Sequence, residues 1–176
     1  MGWSLSYLTP AEPELLGKFF LIIGKSLYLA TSFESKCQFV HRVLRLSAHC
    51  ENTDDINEFI TLMQSMKDSM LGQTIKGMEA FPKFITADNI SKLERAKDAR
   101  NYIAHESTEI GVLSSVSAKT IDESLTRLRR ELAYLIVGDD LVSRWVFEIE
   151  EKQRTSRKMR AAYHQQVFQW VFGSEN

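Results

Sequence analysis

The residues in this chain best suited to chemistry lie in one short segment, Arg100-Asn101-Tyr102-Ile103-Ala104-His105. Read as a helix at 100° per residue, Arg100 follows Leu93 by seven positions and shares the stripe of Leu93, Ala96 and Ile103. A guanidinium thus stands where an apolar side chain belongs. Burying it without a partner is unfavourable, so Arg100 must meet an internal carboxylate, sit at a subunit interface or line a cavity that takes an anion. Asn101 and His105 are four apart and stack on a neighbouring face, where the amide can fix the tautomer and orientation of the imidazole. The spacing predicts that a cation, an amide and an imidazole converge, a set suited to moving a proton beside a held anion.

The form Arg-Asn-x-x-x-His resembles the HEPN superfamily, helical domains whose ribonuclease members use an Arg, a polar residue that is often Asn, and a His with four to six residues between it and the Arg. The loose spacing alone has little meaning: with 11 arginines and 4 histidines in 176 residues, about 0.75 matches arise by chance, and Arg157 with His164 is a second one. Requiring Asn directly after Arg and four intervening residues lowers that to about 0.007. The resemblance implies metal-independent RNA cleavage without a cofactor. In that chemistry His105 moves a proton at the 2′-hydroxyl or leaving group, Asn101 is the polar motif residue, and Arg100 stabilises a phosphorane whose charge builds in the transition state. It also implies a homodimer with the motif helices facing each other, an RNA substrate, and a toxin–antitoxin or phage-defence setting with an antitoxin or nucleotidyltransferase as partner. Some toxin members carry a tyrosine two residues after the His; here that position is Ser107. The alternatives are a non-catalytic HEPN-like scaffold or nucleotidyltransferase partner, and a helical adaptor in which Arg100 and His105 are structural.

Other constellations are weaker. His105-Glu106 begins like H-E-x-x-H, but Glu109 stands where the second zinc histidine belongs. Cys37, His41, His49 and Cys50 share one stretch, yet a straight helix spreads them too far for a tetrahedral site, so no metal centre is expected. Nucleotide-binding glycine loops and the serine-hydrolase elbow are absent from the sequence. Between Lys152 and Phe172 five basic residues occur without an acid: Lys152, Arg154, Arg157, Lys158 and Arg160. They form a candidate RNA-backbone contact, or else a solvated helix face balancing Glu148, Glu150 and Glu151. Tyr163, Phe168, Trp170 and Phe172 read as packing residues.

The elements that must position these groups read as helices throughout. Only 8 glycines and 3 prolines occur, and Pro82 is the last proline, which disfavours a turn-rich β fold. Thr9 to Glu12, with Pro10, has the spacing of a helix start. An apolar helix follows from Leu15 to Leu29, and the stripe Phe33, Cys37, Val40, Leu44 continues it to the cap cluster at residues 51–54. Lys18 and Lys25 interrupt the first run, so burial in a core or subunit interface is expected rather than a membrane span. Ile56, Phe59, Ile60, Met63, Met66 and Met70 predict a second helix stopped by Gly72, with residues 72–87 irregular. The motif helix begins near Asp88. The steps Ile121, Leu125, Leu128, Leu132, Leu135 predict a helix closed by Gly138, with Asp139 or Asp140 capping a last helix through to Val171.

The expectation is therefore an all-α, HEPN-like bundle of about five helices, a single domain over residues 1–176, dimeric. The net charge of −1 commits the chain to no polyanion globally. Two cysteines too far apart on one helix to bridge, and no secretory signal pattern, point to the cytoplasm and away from a membrane. Met1-Gly2-Trp3-Ser4-Leu5-Ser6 fits a loose acylation pattern, but no polybasic run follows it, so it reads as coincidence.

Overall fold

A computed structural model describes residues 10–53, 55–65, 69–111, 113 and 115–173. Among these, six helices account for the regular structure: α1 Pro13–Asn52, α2 Ile56–Ser65, α3 Leu71–Met78, α4 Ala87–His105, α5 Ala118–Glu151 and α6 Arg157–Phe172. The all-α expectation holds, with one helix more than expected.

Two long parallel helices, α1 and α5, form the frame. Phe33 lies against Gly138, Lys36 against Asp139, and Val40 and Leu44 share a cleft with Trp145 and Ile149. The motif helix α4 runs antiparallel to both, with Ile85 just before it near Val40, and Arg100 reaching Glu34. α6 returns antiparallel along α5, so that Tyr163 meets Asp139 and Trp170 meets Lys25 and Tyr28. α3 closes the side of α1 and α4, whereas α2 buries no residue fully.

Local chemistry explains most helix ends. Thr86 accepts from Asn89 N while Asn89 Oδ1 accepts from Thr86 N, a reciprocal cap that starts α4. Ser117 and Ser156 accept from the third residue beyond them to start α5 and α6. Asp55 Oδ1 accepts from Asn57 N at 2.8 Å at the start of α2. The expected start at Thr9 lies outside the described residues; α1 begins at Pro13, behind Glu12.

Three boundary expectations fail, each for a packing reason. Gly72 does not stop a helix but lies inside α3, and residues 71–78 are helical because Leu71, Thr74, Ile75 and Met78 bury one face against α1 and α4. Gly138 does not close a helix either. A Cβ there would overlap the Ala96 methyl and press on Phe33 Cε2 at 3.2 Å, so the glycine marks where α1, α4 and α5 come closest. Consequently Asp139 and Asp140 are not caps: α5 runs unbroken for 34 residues, and the break falls at Lys152, which adopts the left-handed conformation at φ 53°.

Candidate functional site

Arg100 takes the first of its three allowed fates. One of its terminal guanidinium nitrogens donates to Glu34 Oε2 at 2.5 Å and the other to Asn101 Oδ1 at 3.2 Å. Its side chain keeps 24% exposure, so the pair lies at the edge of the α1–α4 junction. Asn101 and His105 are exposed, on the outer strip of α4 that also carries Arg95 and Asp98. No hydrogen bond joins Asn101 to His105 among the described residues, and the amide oxygen serves the guanidinium instead. The expected convergence is therefore incomplete within one chain: five residues separate Arg100 and His105, about 140° around the helix and ~7.5 Å along it.

His105 is the last residue of α4, and the turn beyond it is held firmly. Glu106 N and Ser107 N both donate to Tyr102 O, and Ser107 Oγ donates to Ile103 O at 2.6 Å. Ser107, two residues after His105, is buried with its hydroxyl engaged in ending the helix. Tyr102 is also buried, under the Arg127 guanidinium at 4.1 Å; burial pushes its phenol up, and the same guanidinium bonds Glu106 at 3.0 Å.

Three cations, Arg95 on this strip and Arg127 and Arg130 on α5 beside it, escaped the sequence reading. Arg95 stacks over Tyr134 at 4.0 Å, and Arg95, Asp98, Arg130, Glu131 and Tyr134 line a cleft of about 310 Å³ between α4 and α5. Arg127, over Tyr102 and paired with Glu106, is the arginine of the three that the contacts place at the end of α4 beside His105. Their signal was faint, since positions 127 and 130 of a leucine-striped helix read as ordinary solvated charge.

The basic run is elsewhere. Lys152 ends α5, Arg154 lies in the connection, and Arg157, Lys158 and Arg160 occupy the first turn of α6; all are exposed. They form a cluster around a helix break rather than one helix face. Twenty-five residues of α5 separate Lys152 from Arg127, about 37 Å at 1.5 Å per residue, so the run lies at the far end of the bundle from His105.

The most connected polar group is one the sequence reading treated as a cap. Asp139 is fully buried; Lys36 Nζ donates to its two oxygens at 2.9 and 3.1 Å, and the Tyr163 hydroxyl donates to Oδ2. Lys36 also donates to Ser143 Oγ at 3.0 Å. Burial, followed by the charge of Asp139, holds the Tyr163 phenol well above its usual range. The adjacent Cys37 is raised by burial and then by Asp139 and Glu34, which makes it an inert core thiol. No cluster of three or more metal-ligating side chains occurs among the described residues. Compared with known proteins, the chain matches no family model, no curated protein and no solved structure.

Proposed function

We propose that this chain is a metal-independent endoribonuclease of HEPN-like type, acting as a cytoplasmic homodimer in a toxin–antitoxin or phage-defence setting. The observation that carries the reading is the strict Arg100-Asn101-x-x-x-His105 motif on the exposed end of a helix in an all-α protein. His105 is open to solvent, and Arg100 stays partly accessible next to Asn101. His105 takes the proton of a ribose 2′-hydroxyl, O2′ bonds to phosphorus, and the P–O5′ bond breaks as O5′ receives that proton from the imidazolium, leaving a 2′,3′-cyclic phosphate and a 5′-hydroxyl. Arg100 serves the non-bridging oxygens by exchanging its contact with Glu34 for the phosphate, and apposition of two copies supplies the convergence that one helix lacks. Arg95, Arg127 and Arg130 hold the RNA near the site. Lys152, Arg154, Arg157, Lys158 and Arg160 contact backbone farther along, and an antitoxin or nucleotidyltransferase partner restrains the activity.

The test is cleavage of a mixed RNA pool with chelator present, read as 2′,3′-cyclic phosphate ends. His105→Ala is expected to lower the rate by ~10² to 10⁴. Dependence on a divalent metal, or full activity in His105→Ala, overturns the mechanism.

The Arg100–Glu34 ion pair favours a second reading, the non-catalytic scaffold, because it gives the arginine a structural partner without any substrate. A folded wild-type protein inert on all RNAs, with and without candidate partners removed, selects that reading.

A further inference from the structure

α1 carries two seams with the same repeat. The inner one, Leu16, Phe19, Ile23, Ser26, Ala30, Phe33, Cys37 and Val40, steps by three and four and is buried throughout. The outer one, Glu14, Gly17, Leu21, Gly24, Tyr28, Thr31 and Ser35, steps by three and four just as regularly and is exposed throughout. Such a 3.5-residue period keeps a seam facing a partner helix. The inner seam has its partners in α3, α4 and α5; the outer seam faces solvent.

The glycines of the outer seam have no use within the monomer. A Cβ at Gly17 or Gly24 would meet nothing within 4 Å, unlike one at Gly138 or Gly77. Each nevertheless weakens the helix by about 1 kcal/mol relative to alanine. Alternating with them stand large apolar side chains left open: Leu21 at 59% and Tyr28 at 70% exposure, with Phe20, Leu27 and, from α6, Trp170 alongside. At ~200 Å² for a large side chain, these five expose about 500 Å² per chain. Pairing two such patches removes about 1,000 Å² from these residues alone, the lower bound of a specific interface.

We infer that the outer seam of α1 binds a second copy of this chain, antiparallel, about a two-fold axis passing between Ile22 and Ile23. In that register each large residue meets a glycine or a small partner: Leu21 faces Gly24, Tyr28 faces Gly17, and Glu14 faces Thr31. Phe20 and Leu27 meet across one flank. On the other flank Lys25 is already turned to the Trp170 carbonyl at 2.8 Å, leaving Lys18 at the rim. A parallel pair would set Tyr28 on Tyr28 and glycine on glycine, leaving voids between clashes. A bilayer is the poorer occupant, although an 18-residue window of α1 has a mean hydropathy of 1.3. The inner seam is the wall of the core, and spanning would strip it. The pairing is that of the free chain and is separate from the apposition of motif ends proposed above, since Arg100 lies level with Glu34, about 17 Å along α1 from this axis; it does not depend on ribonuclease activity, since mass is measured without RNA.

Sedimentation of the full chain at micromolar concentration is expected to show a dimer. Leu21→Glu with Tyr28→Glu is expected to weaken it ~100-fold or more while circular dichroism stays helical. In a Cys50→Ser background, oxidising a mixture of Gly17→Cys and Tyr28→Cys proteins is expected to cross-link one to the other. Neither alone should cross-link, because the antiparallel register holds like positions ~16 Å apart, beyond disulfide reach. A wild-type monomer, a dimer that survives the double glutamate variant, cross-linking of either cysteine variant alone, or flotation of the monomer with lipid vesicles each overturns the inference. If the double glutamate variant unfolds, the cross-linking pattern alone decides.

Discussion

The end of α4 and the middle of α5 both hold polar side chains on helices that otherwise pack against the core, yet they have opposite surroundings. At the end of α4, Asn101 and His105 face water, and Arg100 has one carboxylate at the edge of the bundle. In the middle of α5, Asp139 is shut off from solvent and receives hydrogen bonds from Lys36 on α1 and Tyr163 on α6, tying three helices together. A buried carboxylate must be fully satisfied or the fold suffers, whereas an exposed imidazole can be left unengaged for a reaction. Residues open to a ligand and residues that tie helices together are thus told apart by desolvation and partner count, not by residue type.

The sharpest way to break this contrast is to remove one member of each set. Asp139→Ala should destabilise the fold by about 3 kcal/mol, since it strands Lys36 and Tyr163 at a desolvated junction. His105→Ala should change stability by less than ~0.5 kcal/mol, as expected for an exposed position. Urea denaturation reads both, and equal losses would erase the distinction. The next largest effect tests whether the middle of α5 is a tight junction. Gly138→Ala raises helix propensity yet should destabilise by about 1–3 kcal/mol, because its methyl must displace Ala96 or Phe33; a gain in melting temperature would show the junction to be loose.

The smallest effect comes from His41, which lies between these regions in exposure and sits against Gly77. Burial, then the nearby Arg45, lowers its proton affinity from the usual 6.5. The unfolded chain therefore takes up the proton first, and stability should decline as pH falls through 6.5 and on until the folded imidazole itself protonates. Urea midpoints at pH 7.5 and 5.5 should show that decline, and His41→Gln should flatten it. An unchanged slope in the variant would assign the decline to other groups.

The sequence by itself determined the fold class and much of the helix placement. Apolar residues at steps of three and four carry their own period, and the scarcity of glycine and proline leaves few places to turn. It also located the Arg100 motif on a helix and required that Arg100 find a partner. It could not say which partner: Glu34 lies 66 residues away, and only the antiparallel packing of α4 on α1 brings it within 2.5 Å. Gly138 and Asp139 were misread for a related reason. A glycine followed by two aspartates has the local chemistry of a helix end and a new cap, and nothing local reveals that α4 approaches too closely for a Cβ or that Lys36 and Tyr163 wait across the core. Likewise, the basic run and the His105 motif could be read separately, but the length and direction of α5 alone set them at opposite ends of the molecule. Local periodicity is a property of the chain, whereas burial, closest approach and ion pairing belong to elements far apart in sequence, and so only the tertiary structure decided them.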